Sequence, residues 1–361
     1  MALLSLLYSA WPLRLPSPEP WHLLLAQYAS LQSLWLVFRH KPCTTALKPT
    51  VQHSPTAIGT LFRKVERMSS PQANMQPSAA RALIEKHEAE VFEARSELYT
   101  AANAAILNAF HSAFMICDDQ EQQQFIDVGC GIGDLAFKHL LPRCSPCRRL
   151  VAADLSDNLI KLAAKKYPHP KIEYLQLDIV GDVGGFVAEQ GQFQRVYSFA
   201  TLHWVKDKRL AMLNFEKLLT PGGEFFLVML GGSLIHDLYK AMMNSPRWIK
   251  YNNVLQECMP VISAAQDKES LRKYAADLIK LTKLIPLTCE VVSYPSTNKT
   301  KDEMIRDFLL FHHIKPLLND EEKEELRKFI TKFTEKIWVS SQKGKILDRK
   351  MIVIHAQKPL N

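Results

Sequence analysis

A strand, a glycine-rich turn and a helix follow one another without a gap between residues 125 and 141. Phe125-Ile126-Asp127-Val128 is a short apolar, β-branched run. It ends at Gly129-Cys130-Gly131-Ile132-Gly133-Asp134, and a helical sequence over 135–141 begins at once. This order is typical of the first crossover in a nucleotide-binding α/β fold. It therefore predicts a parallel sheet with the glycine turn at the end of its first strand.

The spacing of the glycines indicates what kind of ligand the turn would take. A dinucleotide fingerprint reads Gly-x-Gly-x-x-Gly/Ala, whereas here Gly133 comes one position early and Asp134 takes the expected place. A carboxylate at that place would repel a pyrophosphate. A positively charged ligand without phosphates tolerates nearby carboxylates, and S-adenosylmethionine is such a ligand.

Further strand-like runs end in acidic residues at the intervals that a β–α–β fold requires. The run Leu150–Ala153 ends at Asp154, the place from which a carboxylate accepts hydrogen bonds from ribose hydroxyls. The run 172–177 ends at Asp178-Ile179, where a carboxylate and a backbone amide can read an adenine edge. Two more strands are predicted over 195–199 and 225–230, with a turn at Pro221-Gly222-Gly223 before the second.

Together these motifs resemble those of the class I S-adenosylmethionine-dependent methyltransferases. The resemblance implies an α/β, Rossmann-like fold: a mostly parallel seven-stranded sheet with helices on both faces and a helical substrate lid. It also implies S-adenosylmethionine as the cofactor. The residues that it assigns to cofactor binding are Asp127, Gly129, Gly131, Gly133, Asp154, Leu155, Asp178, Ile179 and Phe199.

The loop after the fourth strand carries the information about the methyl acceptor. Residues 197–205, which include Leu202-His203-Trp204-Val205, resemble the same stretch of the arthropod juvenile hormone acid (farnesoic acid) O-methyltransferases. The likeness extends from about residue 95 to the C-terminus. It implies methyl transfer to the carboxylate of a small apolar acid, of the juvenile hormone acid, farnesoic acid or fatty acid type, with Trp204 and His203 orienting the substrate.

One position departs from that family. Its members carry Leu-Tyr-x-x-Ala-Asn-x-x-Gln in the N-terminal helix, and the glutamine helps to hold the substrate carboxylate. Here the stretch that starts at Leu98-Tyr99 ends in Ile106. The departure predicts either one missing carboxylate hydrogen bond, at about 1–3 kcal/mol of binding, or a different substrate.

Two other functions stay open on the sequence alone. A carboxylate is already ionised at neutral pH and needs no general base, whereas a phenol, amine or quinone-type acceptor would need one, which His203 could supply. The chain could also be a relative that binds cofactor or terpenoid without turnover.

The remaining segments bear on organisation and partners. Residues 1–75 are expected to form a leader ahead of a methyltransferase domain over 76–361, with the cofactor core at about 120–230 and a helical cap at about 231–340. The leader suits a membrane anchor, an organelle transit peptide, or a segment left out when translation starts at Met68 or Met75. Otherwise a cytoplasmic location is expected, with membrane association only through the leader, and the oligomeric state is left open.

Charge and cysteine content exclude other classes of function. The net charge is +8, but seven basic and only two acidic side chains lie in residues 1–70, so the rest of the chain is close to neutral. That distribution argues against a nucleic-acid partner. The seven cysteines suggest reduced thiols, and the one close pair, Cys144 and Cys147, lacks the further ligands that a metal site needs. No metal is expected.

Overall fold

The structure, a computed structural model, describes residues 77–115, 120–262, 267–294, 300–342 and 349–360. The chain divides into two units, Met1–Gln72 and Ala73–Asn361. All of the described residues belong to the second unit, so the predictions about the leader lie outside the described residues. Within these residues, no helix is long and apolar enough to cross a membrane.

A seven-stranded sheet forms the centre of the second unit, with strand order β3-β2-β1-β4-β5-β7-β6. The pairings from β3 to β5 are parallel, and β7 is antiparallel to both of its neighbours. Because the order reverses direction between β1 and β4, ligands are expected at the carboxyl ends of those two strands. The strands are β1 (Gln124–Val128), β2 (Arg149–Asp154), β3 (Ile172–Gln176), β4 (Phe193–Phe199), β5 (Leu219–Leu230), β6 (Ile285–Tyr294) and β7 (Arg349–Gln357).

Helices cover both faces of this sheet and form a cap after β5. Those that connect or cover the sheet are α1 (Pro77–Phe110), α2 (Leu141–Cys144), α3 (Asp157–Lys166), α4 (Val183–Gln190) and α5 (Lys208–Leu218). Those after β5 are α6 (Leu234–Met243), α7 (Asn252–Glu257), α8 (Lys268–Ile279), α9 (Lys301–Leu310) and α10 (Asp320–Gln342). Side-chain caps start several of them, as Ser156 does for α3 by accepting from the Leu159 amide.

The sequence predicted the α/β fold and the strands correctly, and two local features differ. The turn predicted at Pro221-Gly222-Gly223 is instead part of β5, where the pairing with β4 shifts register and Gly222 has a φ of +76°. The helix predicted over 135–141 is a π-helical turn, Ala136–Leu140, that continues into α2. The last strand, β7, pairs with β6 over residues 285–294.

Three apolar clusters make up the core. Two of them lie on the two faces of the sheet: Phe193, Phe215 and Phe225 belong to one, Phe125 and Phe226 to the other. The third joins the helices of the cap to one another around fully buried side chains of α6 and the turn that follows it. The cap therefore has a core of its own, as a substrate lid would need.

A buried ion pair fixes the edge of the sheet opposite to the predicted site. Arg195 donates to the Glu224 carboxylate at 2.7 Å, and His355 lies 2.9 Å from the other oxygen of that carboxylate. The Met115 amide also donates to Glu224, at 3.2 Å. These bonds hold the segment after α1 against the amino ends of the parallel strands, so α1 is anchored at its far end.

Candidate cofactor and acceptor site

The carboxyl ends of β1 and β2 are joined through the glycine turn. The backbone amide of Gly131 donates to Oδ2 of Asp154 at 2.9 Å, and the Ser156 amide donates to Oδ1 at 2.9 Å. The Gly129 and Cys130 amides both donate to the Ala153 carbonyl, at 2.7 and 2.9 Å. The turn is thus held in a fixed shape beside a carboxylate whose oxygens keep further lone pairs for ribose hydroxyls.

Two glycines of this turn are required for different reasons. Gly129 has a φ of +82°, and a Cβ built on it would overlap the Thr201 side chain. Gly131 has a φ of +57°, but a Cβ there would meet nothing closer than Cδ1 of Phe92, at 3.9 Å. The space in front of Gly131 is therefore open on the ligand side, as close approach of a cofactor to the backbone would need.

Three carboxylates lie close enough beneath the turn to interact. Asp127 is 1% exposed, and its Oδ1 is buried without a hydrogen-bond partner. Burial, together with the nearby Asp154 and Asp134 carboxylates, raises the pKa of Asp127 to about 8. A buried carboxylate without a partner is costly, and a cation in the open space would offset that cost. The arrangement fits the sulfonium and ammonium charges of S-adenosylmethionine.

The other residues assigned to the cofactor border the same edge of the sheet. Leu155 follows Asp154 and is 58% exposed, although it is a large apolar side chain. Asp178 lies two residues beyond the end of β3, with its Oδ1 accepting from the Val180 amide. Ile179 and Phe199 are buried, and Phe199 is the last residue of β4. The fold thus brings the predicted residues to the ends of four adjacent strands.

Helix α1 makes two contacts with the glycine turn that the sequence motifs did not predict. Thr100 donates to the buried Asp134 carboxylate at 2.5 Å, and Phe92 lies over Gly131. Lys166 of α3 pairs with Glu93 at 2.9 Å. The signal in the sequence was weak, because Thr100 occupies one of the unspecified positions of the Leu-Tyr-x-x-Ala-Asn pattern.

The loop after β4 brings the acceptor-side residues next to the glycine turn. The Thr201 hydroxyl lies 3.2 Å from the Gly129 carbonyl, and the Trp204 amide donates to the Thr201 carbonyl at 2.8 Å. Ala200 adopts a φ of +51°, an uncommon conformation for a residue with a side chain. Trp204 is 39% exposed, and its ring centroid lies 6.0 Å from that of His313. Trp204 therefore belongs to the loop that contacts the glycine turn, and its ring contacts the cap at His313.

His203 has a different environment from Trp204. Its side chain is 2% exposed, and its Nδ1 is buried without a hydrogen-bond partner. Burial and, to a lesser extent, the Lys208 charge lower the pKa of His203 to about 3. The ring is therefore neutral at physiological pH and a very weak base.

Ile106 lies in the core instead of facing the acceptor site. Its side chain is 4% exposed and belongs to the apolar cluster that packs α1 against the sheet, together with Leu107 and Phe226. An amide at this position would be buried among apolar side chains. The structure thus gives position 106 a packing role, and any polar contact with the acceptor must come from elsewhere.

No group of three or more metal-ligating side chains occurs among the described residues. Cys144 and Cys147 are both buried, and Cys144 Sγ lies 3.7 Å from the Tyr197 hydroxyl. Burial raises the pKa of Cys144 to about 12, so its thiol stays protonated.

Comparison with known proteins agrees with the geometry. Residues 126–227 match the methyltransferase domain model. The juvenile hormone acid O-methyltransferase of Bombyx mori is 30% identical over 173 residues, which cover 47% of this chain and 60% of that protein. The Drosophila melanogaster enzyme of the same name is 23% identical over 60% of this chain and 74% of its own length. A malonyl-[acyl-carrier protein] O-methyltransferase of Priestia megaterium is 24% identical over 42% of this chain and 52% of its own length.

The matched stretch thus spans less than two thirds of the Bombyx mori protein and about half of the Priestia megaterium protein. Residues 126–227, which the family model matches, include the glycine turn, the acidic strand ends and the loop after β4. The sheet has seven strands and is mostly parallel, as the resemblance implied. The chain therefore contains a class I S-adenosylmethionine-dependent methyltransferase domain.

Proposed function

We propose that this chain transfers the methyl group of S-adenosylmethionine to the carboxylate of a small apolar acid, of the juvenile hormone acid, farnesoic acid or fatty acid type. The names of the Bombyx mori and Drosophila melanogaster relatives support an acid as the acceptor. Bound S-adenosylmethionine would supply an electrophilic methyl carbon on a sulfonium. The part of the protein is to hold the cofactor, orient the carboxylate and exclude water.

The cofactor would lie along the carboxyl ends of β1 to β4. In this proposal the Asp154 carboxylate accepts from ribose hydroxyls, Leu155 packs on the adenine, and Asp178 with the Ile179 amide holds the adenine edge. The open space in front of Gly131 admits the methionine part, and the Asp127 carboxylate faces its positive charge. Gly129, Gly133 and Phe199 would form the base of the cofactor site.

One observation carries the choice of a carboxylate as acceptor. His203 is the side chain that would take a proton from a phenol or an amine, and its pKa is lowered to about 3 by burial. A base that weak cannot deprotonate such acceptors near neutral pH. A carboxylate needs no proton removed, because it titrates near pH 4. The neutral ring of His203 instead supports the loop that carries Trp204.

Trp204 would position the acceptor. Its indole N–H is a donor only, so it can bind a carboxylate oxygen without neutralising the charge. The ring is partly exposed, and its centroid lies 6.0 Å from that of His313 in the cap. A carboxylate held there would be aligned with the methyl carbon and partly desolvated, which accelerates an in-line displacement.

The test is the pH dependence of turnover with dodecanoic acid or farnesoic acid as the acceptor. For carboxyl methylation, kcat should stay constant between about pH 6 and pH 9, because the nucleophile is ionised throughout. His203→Gln should keep a kcat within about threefold of the unmodified chain. A kcat that rises with pH and is lost in His203→Gln, with cofactor binding intact, would contradict the proposal and favour a phenol or amine acceptor.

A further inference from the structure

Three histidine side chains lie between α1 and the end of α9, next to the acceptor side of the site. We define the histidine cluster as His87, His312 and His313. Burial lowers the pKa of His87, and the nearby Lys315 and His313 lower it further. His312 is fully buried, and burial, His313 and His87 together lower its pKa to about 3. Bases this close to one another create a positive potential wherever one of them is protonated.

Hydrogen bonds fix the orientation of two of these rings. The Tyr239 hydroxyl accepts from the His313 backbone amide at 3.1 Å and lies 2.6 Å from Nδ1 of His313. These two contacts hold the His313 ring against Tyr239. Nε2 of His312 lies 2.9 Å from Sδ of Met242.

The third ring of the cluster, His87, holds a buried nitrogen that has no partner. Its side chain is only 11% exposed, and Nε2 is buried without a hydrogen bond. The Leu310 carbonyl accepts from the ring, and Glu90 on the same helix lies 4.0 Å from Nδ1. In the neutral ring, Nε2 then has only a lone pair. Protonation would turn it into a buried, charged donor without an acceptor, which an incoming anion would satisfy.

The cluster borders the acceptor side of the candidate site. The rings of His313 and Trp204 are 6.0 Å apart, in an edge-to-face arrangement. Trp204 in turn follows the Thr201 turn that contacts Gly129. The Trp204 ring is therefore next to His313 of the histidine cluster.

We propose that His87 and His313, with Lys315 and Tyr239 behind them, hold the anionic end of the acceptor beside Trp204. This inference rests on the proposed function and adds the residues that would recognise a carboxylate, a role that Ile106 cannot fill. The acceptor class is then a monocarboxylic acid with an apolar tail. Its alcohol, aldehyde or methyl ester lacks the charge and is bound less tightly.

Recognition of this kind couples acceptor binding to the uptake of a proton by His87. In the free protein, burial, Lys315 and His313 lower the pKa of His87, whereas the Leu310 carbonyl and Glu90 oppose that shift. A bound carboxylate would raise the pKa of His87, so that a proton is taken up on binding. Affinity should therefore be highest at low pH and fall as the pH rises through the raised pKa of the complex.

The experiment measures the Kd of dodecanoate by calorimetry, with S-adenosylhomocysteine present, and the KM of dodecanoic acid between about pH 6 and pH 8. It uses the full chain and the variants His87→Gln and His313→Gln. Each variant should raise Kd and KM about tenfold at the low end of this range and flatten the pH dependence. The Kd of S-adenosylmethionine should stay within about twofold.

His111→Gln is the matched control, because His111 is exposed and lies beyond the far end of α1. It should behave as the unmodified chain does. An unchanged Kd and pH profile in both His87→Gln and His313→Gln would overturn the inference, even if the ester is formed. Dodecanoate that binds with proton uptake but yields no ester would contradict the proposed function alone.

Discussion

The Gly131 amide donates a 2.9 Å hydrogen bond to Oδ2 of Asp154, and this bond joins the glycine turn after β1 to the end of β2. It fixes the turn next to the carboxylate that would hold the ribose. The same carboxylate thus has a structural partner and a proposed ligand. Its replacement is expected to affect cofactor binding far more than folding.

Asp154→Asn should raise the Kd of S-adenosylmethionine by about tenfold to a hundredfold, because an amide cannot replace both acceptor oxygens. Calorimetric titration of the variant measures this directly. Asp157→Asn is the matched control, since that carboxylate pairs with Lys161 on an exposed helix face at 2.5 Å. Equal affinity in the two variants would contradict the assignment of Asp154.

Gly131→Ala separates backbone strain from loss of ligand space. Alanine at a φ of +57° should lower the free energy of unfolding by about 1 kcal/mol. Its methyl group would also enter the proposed cofactor space, so the Kd of S-adenosylmethionine should rise by about tenfold or more. Gly191→Ala introduces backbone strain at a φ of +78° between α4 and β4, with a Cβ 3.1 Å from Nε2 of Gln124, and should leave the Kd unchanged.

If Gly131→Ala binds the cofactor as tightly as Gly191→Ala does, Gly131 does not border the cofactor. Urea unfolding and calorimetry on the same preparations supply both quantities.

Asp127 makes cofactor binding and stability depend on pH in opposite directions. Its pKa is about 8 in the free fold, well above the unfolded value. The folded state therefore binds the extra proton, and its stability falls as the pH rises from the unfolded pKa toward 8. Asp127→Asn should remove this slope and raise the free energy of unfolding near pH 8 by several kcal/mol.

Binding of the cationic cofactor favours the ionised form of Asp127. Affinity for S-adenosylmethionine should therefore increase about tenfold as the pH rises from 6 to 8. In Asp127→Asn, affinity should be lower and independent of pH over that range. A variant that binds as tightly as the unmodified chain at pH 8 would show that Asp127 does not face the charge.

Trp204→Phe keeps an aromatic ring and removes the indole N–H. The KM of the acid should rise about tenfold to a hundredfold, which corresponds to one hydrogen bond to a charged group. The Kd of the cofactor and the midpoint of thermal unfolding should change little, because the side chain is 39% exposed. Steady-state kinetics with dodecanoic acid would measure the effect, and an unchanged KM would exclude a hydrogen bond from Trp204 to the acid.

Much of the cofactor side could be predicted from the sequence because its signals are local. A single β–α–β unit contains the strand with Asp127, the glycines that follow it and the carboxylate of Asp154. The geometry of such a unit is nearly fixed by its fold class. The sequence did not predict that Pro221-Gly222-Gly223 belongs to β5. A Pro-Gly-Gly run is typical of a turn, and only the pairing with β4, with its register shift, makes it part of a strand.

The acceptor side depended on contacts between distant segments. The sequence could not show that His87 and His313 are close in space, because His87 belongs to α1 and His313 to the segment after α9. The sequence also could not show that His203 is buried, because its neighbour Trp204 is exposed. Nothing in the spacing of Leu-His-Trp distinguishes a base from a buried neutral ring.

The most direct test of the account is the product formed by the full chain from methyl-labelled S-adenosylmethionine and a set of acceptors of similar size. The set comprises dodecanoic acid, farnesoic acid, and a phenol and an amine with apolar tails, and mass spectrometry locates the label. The account predicts labelled methyl esters of the acids and no product from the phenol or the amine. Labelled ether or N-methyl product without ester, while the cofactor binds normally, would contradict it.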